Sequence, residues 1–500
     1  MGVDAHRGGA KARAVTKDVD IRHLRRHATA GARWITVATA TRIAAQFVQL
    51  GILARMLRVE DFGLMAMVNV VLAFSQTFGD AGVSNAIIYY RDAKREELSS
   101  LYWLNVLSGV AVFGLVWLLS PQIARFYHQP PLTALLRVAA VIFIIGPLGR
   151  QFEVLSEREL RFRRLALIET GAVIVGSATG IVLAMRGHGV WSLVWATVLQ
   201  SAVSAFSLAT VGWSTWRPML RFVPRECRRF VQFGLYQMGE RTLNLLGQNL
   251  DKLVIGAMMG PRPLGYYELA YRLIARPYQI INPIFTRVAF PVFSAVSGDR
   301  DRVRKGFLEL IEVVAAIAMP LYFCMLALAD PFIRVQLGEG YEPTIGLLRI
   351  LSMLGLMYAI GSPMGSLLMG CGRADVGFYL NVVRTTLFLG GIWLGSRWGL
   401  TGIAYALVIA AATVMLPVGF YIRRRLVGMR PGEYLAHLAP FFWSALVAAG
   451  VAGALERLVT WPNPVVELIV LIVIGAGVYA GMLLIRERRR LTRILAMVRS

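Results

Sequence analysis

The chain has 500 residues, 56% of them hydrophobic, and a mean hydropathy of +0.58. One soluble core cannot bury that much apolar surface, so the sequence describes an integral membrane protein. The net charge of +24 calls for no nucleic-acid partner, because the basic segments contain no folded aromatic or groove-reading module.

A basic tail over 1–33 comes first. The apolar stretch that follows begins near Trp34 and is too long for the hydrophobic region of a signal peptide. From there, runs long enough to cross about 30 Å of hydrocarbon predict fourteen transmembrane helices: 34–57, 63–90, 101–119, 134–152, 165–185, 190–212, 230–259, 263–297, 307–329, 343–369, 376–396, 399–421, 437–458 and 464–485. With the N-terminus inside, tails and inner loops carry 35 Lys and Arg. The outer loops carry seven single arginines: Arg58, Arg125, Arg186, Arg262, Arg334, Arg397 and Arg457. That bias predicts that both termini are cytoplasmic. The loops are too short for a soluble catalytic domain, and "GCGR" around Cys371 lacks the lysine of a phosphate-binding loop. Cys227, Cys324 and Cys371 are scattered, with neither metal spacing nor a disulfide framework.

"LRVEDFGLMAM" at 57–67 aligns with "MGPRPLGYYEL" at 259–269, at an offset of 202 that pairs Gly63 with Gly265 and puts Asp80 on Asn282. "GVWSLVWA" at 189–196 aligns with "GLTGIAYA" at 399–406, pairing Gly189 with Gly399. Both matches join corresponding spans of two sets of six. The expected fold is therefore an all-α integral membrane protein of two six-helix lobes related by an internal repeat, plus two accessory helices. The expected units are a basic tail 1–33, an N-lobe 34–212, a cytoplasmic linker 213–229, a C-lobe 230–421, an accessory pair 422–485 and a basic tail 486–500.

Polar residues concentrate on the first two helices of each lobe. Residues three, four or seven apart share a helix face. Arg42, Gln46 and Gln49 form such a stripe, as do Asn69, Gln76, Asp80 and Ser84. Gln237, Glu240, Arg241, Asn244, Gln248 and Asp251 follow in span 7, and Glu268, Arg272, Arg276 and Gln279 in span 8. A charge at the bilayer centre costs about 2.5–3.5 kcal/mol, so these faces should turn away from lipid. One shared polar cavity between the lobes is the expectation, although pairing such as Glu268 with Arg272 would also account for single residues. Pro277, Pro283 and Pro291, with Gly234, Gly239 and Gly247, add places where these helices can bend.

Three segments resemble one family. "DKLVIGAMMGPRPLGYYELAYRL", "EDFGLMAMVNVVLAFSQTFGDAGVSNAII" and "ERELRFRRLALIE" resemble, in order, segments of the polysaccharide transporter branch of the multidrug, oligosaccharidyl-lipid and polysaccharide exporter superfamily. The resemblance spans about 34–485; the long basic N-terminal tail departs from the pattern. It implies a Wzx-type flippase of the bacterial inner membrane, with helices 1, 2, 7 and 8 lining a central cavity. The implied substrate is an undecaprenyl-diphosphate-linked oligosaccharide destined for lipopolysaccharide, capsule or exopolysaccharide.

On that reading Arg42, Arg241, Arg272 and Arg276 hold the diphosphate, since a guanidinium fork matches phosphate. Gln46, Asn244, Gln248, Tyr271 and Gln279 meet sugar hydroxyls. Asp80, Glu240, Asp251 and Glu268 balance charge or take a coupling proton. No cofactor or metal is expected; drive would come from the membrane potential, H+ or Na+. Expected partners are the lipid-linked substrate, the bilayer, and polymerase and export machinery. A peptidoglycan lipid II flippase and a membrane polymerase or ligase stand as alternatives, while a drug exporter suits the basic character of span 8 less well.

Overall fold

The structure is a computed structural model that describes residues 21–79, 84, 86, 87, 90, 92–295 and 299–487. Every regular element among these is helical. In chain order they are α1 (Ile21–Ala54), α2 (Val59–Gly79), α3 (Arg95–Phe126), α4 (Leu132–Ala139), α5 (Ile142–Arg158), α6 (Phe162–Met185), α7 (Trp191–Gly212), α8 (Pro224–Met259), α9 (Pro261–Ala295), α10 (Arg300–Ala327), α11 (Ala329–Gln336), α12 (Glu342–Gly361), α13 (Pro363–Gly370), α14 (Ala374–Gly395), α15 (Gly399–Thr413), α16 (Gly419–Val427), α17 (Pro431–Leu458) and α18 (Pro464–Arg486). The predicted site residue Asp80 lies outside the described residues, as does the side chain of Glu240.

The chain is an all-α multi-pass membrane protein. Eleven described stretches are long and apolar enough to cross a bilayer, one of them the continuous run Asp375–Val427. The 36-residue α8 and the 35-residue α9 are not among the eleven. Both exceed the roughly 20 residues that a crossing needs, but Arg241, Asp251, Lys252, Glu268, Arg272 and Arg276 make them far more polar than their neighbours.

Proline interrupts the predicted spans where it removes a backbone donor. Pro363 starts α13 directly after Ser362, and Pro417 sits in the π turn Val414–Val418 between α15 and α16. Helix starts are capped from the sequence. The Asp299 carboxylate accepts from the Asp301 and Arg302 amides at 3.1 Å each, and the Asn463 side chain accepts from Val465 N at 2.8 Å ahead of Pro464.

α6 packs against α1 and α7, α2 against α9, and α10 against α17. α17 buries a stripe of small residues, Ala445, Ala448, Ala449 and Ala452, which lets helix backbones come close without large side chains between them. α18 packs on α17 and buries only Leu471 and Leu483, leaving Val465, Ile469 and Val473 outward. Leu118, Met185, Trp393 and Ile409 are likewise exposed, as a lipid-facing surface requires.

The stretch before α8 is tied to the start of α3. Trp103 Nε1 donates to the Met219 carbonyl at 2.8 Å, Ser100 Oγ donates to Glu226 at 2.9 Å, and Arg229 bridges Asp92 at 3.2 Å and Glu97 at 3.0 Å.

α2 and α9 meet at their first turns in a reciprocal contact. A Cβ on Gly63 would stand 1.8 Å from the Pro261 carbonyl oxygen, and one on Gly265 would stand 2.1 Å from the Val59 carbonyl oxygen. Each glycine thus receives the backbone of the other helix's first residue. Pro261 is Val59 shifted by 202 and Gly265 is Gly63 shifted by 202, so the contact is isologous under the offset seen in the sequence. Gly260, at φ 83°, makes the reversal from α8 into α9 in one residue. Around this clasp Tyr341 Oη donates to the Ala54 carbonyl at 2.6 Å, Gln336 Nε2 to the Phe47 carbonyl at 2.7 Å, and Arg55 to the Val335 carbonyl at 2.8 Å.

Candidate functional site

Among the described residues the polar stripes line two cavities and an ion network, where one shared cavity was expected. The first cavity, of about 570 Å³, is lined by Arg42 of α1, Gln76 of α2, Asn105 of α3, Arg150 and Glu153 of α5, Glu169 of α6, Gln200 of α7 and Arg241 of α8. Arg42 does not stand alone in it, because its guanidinium is ion-paired with Glu169 and donates to Thr39 Oγ1 at 3.2 Å. Arg150 pairs with Glu153 at 2.9 Å. Gln49, one turn beyond Gln46, accepts from Ser177 Oγ at 2.8 Å; Gln46 is half-buried on the same face.

The second cavity, of about 650 Å³, lies among α8, α9, α12, α13 and α14. Gln248, Asp251 and Lys252 line it from α8, and Tyr271, Tyr278 and Gln279 from α9. Tyr358, Asn381 and Arg384 also line it, as does the buried Arg423 of α16. Asp251 is buried and accepts from Tyr267 Oη at 2.5 Å and from the Lys252 amide at 2.9 Å.

Between α8 and α9 the buried Glu268 carboxylate bridges two cations, Lys252 Nζ at 2.9 Å and Arg272 Nε at 2.7 Å. Lys252 also sits over the Tyr271 ring, 4.8 Å from its centroid, and Tyr271 stacks on Tyr267. One turn on, half-buried Arg276 donates to Gln279 Oε1 at 3.3 Å. Counted with Asp251, which neighbours Lys252, and with Arg276, the cluster sets three cations, Lys252, Arg272 and Arg276, against two carboxylates, Glu268 and Asp251, one positive charge in excess. In a low-dielectric setting such an excess attracts an anion strongly.

The predicted residues therefore sort by position. Arg42 and Arg241 come together in the first cavity; Gln248, Asp251, Tyr271 and Gln279 in the second; Glu268 and Arg272 in the network. Asn244, half-buried on α8 one turn from both Arg241 and Gln248, lines neither cavity. Lys252, Asn105, Arg384 and the Arg42–Glu169 pairing were missed in the sequence. For Lys252 a signal existed, since it stands beside Asp251 within a predicted span. Glu169 was visible only as a lone carboxylate, whose burial in a membrane itself calls for a cation.

The polysaccharide biosynthesis protein family matches residues 52–346 of this chain. The lipopolysaccharide biosynthesis protein WzxC of Escherichia coli (strain K12) is 31% identical over 84% of this chain and 86% of its own. The chain belongs to the polysaccharide biosynthesis protein family. It resembles the Wzx-type members of the multidrug, oligosaccharidyl-lipid and polysaccharide exporter superfamily. Other family relatives are the teichuronic acid biosynthesis protein TuaB of Bacillus subtilis (strain 168), 29% identical over 85% of this chain and 89% of its own, and the succinoglycan biosynthesis transport protein ExoT of Rhizobium meliloti (strain 1021), 25% identical over 93% and 94%. Among solved structures the fold is similar to the lipid II flippase MurJ in an inward closed conformation, with a TM-score of 0.76, 16% identity and coverage of 91% of this chain and 99% of that one. An inward-facing multidrug resistance transporter of the same superfamily gives 0.60 at 17% identity, covering 78% of this chain and 98% of its own. At those identities the likeness concerns the fold alone.

Proposed function

We propose that this protein is a flippase that carries undecaprenyl-diphosphate-linked oligosaccharide repeat units from the cytoplasmic to the periplasmic leaflet of a bacterial inner membrane, for assembly into lipopolysaccharide, capsule or exopolysaccharide. The observation that carries the proposal is the net positive charge of Lys252, Arg272 and Arg276 against Glu268 and Asp251, with Lys252 and Asp251 lining the second cavity. An apolar or cationic cargo has no use for it; a lipid diphosphate does.

Arg241, Arg272 and Arg276 hold the diphosphate. Arg42 contributes less, because Glu169 already neutralises it. Gln46, Asn244, Gln248, Tyr271 and Gln279 meet sugar hydroxyls, and the prenyl chain stays in lipid. Asp80, Glu240, Asp251 and Glu268 balance the empty site or take a coupling proton; Glu268, bridged by two cations, suits charge balance. The protein acts as a transporter and performs no bond-making step.

Fourteen transmembrane helices are assigned by adding α8 and α9 to the eleven apolar stretches and counting Asp375–Val427 as two crossings. Both termini are then cytoplasmic. The lobes are 34–212 and 230–421, joined by 213–229, with an accessory pair over 422–485 and basic tails at 1–33 and 486–500. Gly189 and Gly399, paired by the second repeat match, both take positive φ, 54° and 72°, which supports the two-lobe reading. The clasp between α2 and α9 is the closed periplasmic gate. Alternating access rocks one lobe against the other, and each negative charge moved outward gains about 2.3 kcal/mol per 100 mV of inside-negative potential.

The test is in cells depleted of the protein: the amount and sidedness of lipid-linked repeat units, read with a lectin that reaches only the outer face. Units that accumulate unreachable support the flippase. Single units reachable outside but unpolymerised would assign the protein to a polymerase or ligase step, and accumulated peptidoglycan lipid II would assign it to that lipid.

A further inference from the structure

The second cavity is lined by two cations that the ion network does not use. Arg423 of α16 is 3% exposed. Its Nη2 donates to the Met415 carbonyl at 3.3 Å, and its guanidinium lies over the Tyr434 and Phe420 rings, 4.1 and 4.9 Å from their centroids. Among the described residues no carboxylate pairs with it. Nε is sealed inside the protein, whereas Nη1 is neither sealed nor hydrogen-bonded. Gly419 lines the same cavity, and a Cβ there would stand 3.3 Å from Nη2 and 3.5 Å from Nη1, so the glycine gives the fork room to lie along the wall. Met415 belongs to the π turn Val414–Val418, a kind of irregularity frequent at functional sites. Helix stability does not call for this arginine, because exposed Arg424 and Arg425 already complement the C-terminal end of α16. Half-buried Arg384 of α14 lines the cavity too and has no ion pair among the described residues. Arg384 and Arg423 therefore add two positive charges to those of Lys252, Arg272 and Arg276, in an interior where a charge without its opposite is costly.

We infer that the second cavity contains a phosphate site of its own, with the Arg423 fork donating to phosphate oxygens and Arg384 supplying a further charge. This goes beyond the flippase reading, which puts the diphosphate on Arg241, Arg272 and Arg276. A guanidinium suits the task because it stays charged when buried and its planar fork matches the oxygens of a phosphate. The volume, about 650 Å³, falls within the roughly 300–1,000 Å³ of small-molecule sites. Ile392, Leu407, Ala411 and Val414 add an apolar wall, which favours a phosphate carried on a lipid. Such a phosphate has two sources, the diphosphate of the transported glycolipid and the headgroup of an anionic phospholipid.

The experiment uses the purified full-length protein in phosphatidylcholine nanodiscs and measures its affinity for three radiolabelled probes: undecaprenyl diphosphate, phosphatidylglycerol and inorganic phosphate. Arg423→Met keeps an apolar side chain beside Tyr434 and removes the charge; it is expected to weaken at least one probe about tenfold or more. Arg423→Lys, which keeps the charge and loses the fork, should recover part of that affinity. Arg384→Met and Gly419→Ala should weaken the same probe, and they keep the test open should Arg423→Met not assemble. A loss confined to undecaprenyl diphosphate assigns the site to the cargo, one confined to phosphatidylglycerol assigns it to a bilayer lipid, and one that includes inorganic phosphate assigns it to phosphate whatever its carrier. Unchanged affinity for all three probes in these variants overturns the site. A loss that comes with an equal fall in the melting temperature of every ligand-free variant, and that Arg423→Lys does not relieve, makes Arg423 a packing residue and overturns it as well. Unsubstituted protein that binds phosphatidylglycerol or inorganic phosphate but not undecaprenyl diphosphate would count against the flippase reading and leave the phosphate site standing; protein that binds none of the three would overturn both.

Discussion

Gly63 gives the sharpest handle on how the two halves meet. In Gly63→Ala the new methyl would stand 1.8 Å from the Pro261 carbonyl oxygen, and real Cβ contacts do not come under 3.0 Å. The facing atom is backbone, at the first residue of α9 directly after Gly260, so it cannot rotate away as a side chain would. The first turns of α2 and α9 must therefore separate by more than 1 Å. Overpacking of this kind costs about 1–3 kcal/mol, which corresponds to a shift of about 5–150-fold in the ratio of clasped to unclasped molecules. Gly265→Ala, at 2.1 Å from the Val59 carbonyl oxygen, should act alike. Arg262 Nε lies 3.3 Å from Glu60 Oε1 across the same seam, so a Glu60→Cys/Arg262→Cys pair reports closure through its rate of disulfide formation in membranes. We expect the rate to fall at least about fivefold in either glycine variant, with surface polysaccharide reduced at normal protein abundance. Cross-linking and export both unchanged would refute the clasp as the closed gate.

Glu268→Ala leaves the half-buried Lys252 and Arg272 without their carboxylate, a change that costs at most about 3–5 kcal/mol, so the melting temperature in detergent should drop and recover in part when Lys252→Met is added. Tyr341→Phe removes the 2.6 Å bond to the Ala54 carbonyl and should cost about 1 kcal/mol, seen as a small fall in the same cross-linking rate. Arg276→Ala, at normal abundance, should abolish surface polysaccharide; full export would remove Arg276 from the site. The Arg229 guanidinium holds the exposed Asp92 carboxyl below the ordinary carboxylate range. Its folded pKa is depressed, so the tether is present at neutral pH and is lost only below about pH 4; the melting difference between the protein and Asp92→Asn should stay flat from neutral to mildly acidic pH and shrink below that.

The helical, membrane-embedded character was legible because hydropathy needs only local sequence. The two most polar long helices, α8 and α9, were legible as long helices from their length and flanking apolar residues. The pairing of Gly63 with Gly265 was legible as a repeat, but its role was not: the contact joins backbones some 200 positions apart, and periodicity carries no information about such distances. Polar stripes on α1, α8 and α9 could be read from spacing. How each helix is rotated about its axis is set by packing, so the division into two cavities, and Glu169 as the partner of Arg42, appeared only in three dimensions. Asn105 carried no signal at all, because a single asparagine in an apolar run has no pattern to stand out from.

The most direct test of transport reconstitutes the purified protein in liposomes containing the extracted lipid-linked oligosaccharide and follows, with an outer-face glycosidase, how fast the protected half of the lipid becomes accessible. Full accessibility within the assay, lost in Arg276→Ala and absent from protein-free vesicles, is the result predicted here. Half of the lipid remaining protected, as in vesicles without protein, would contradict the assignment of translocation to this chain.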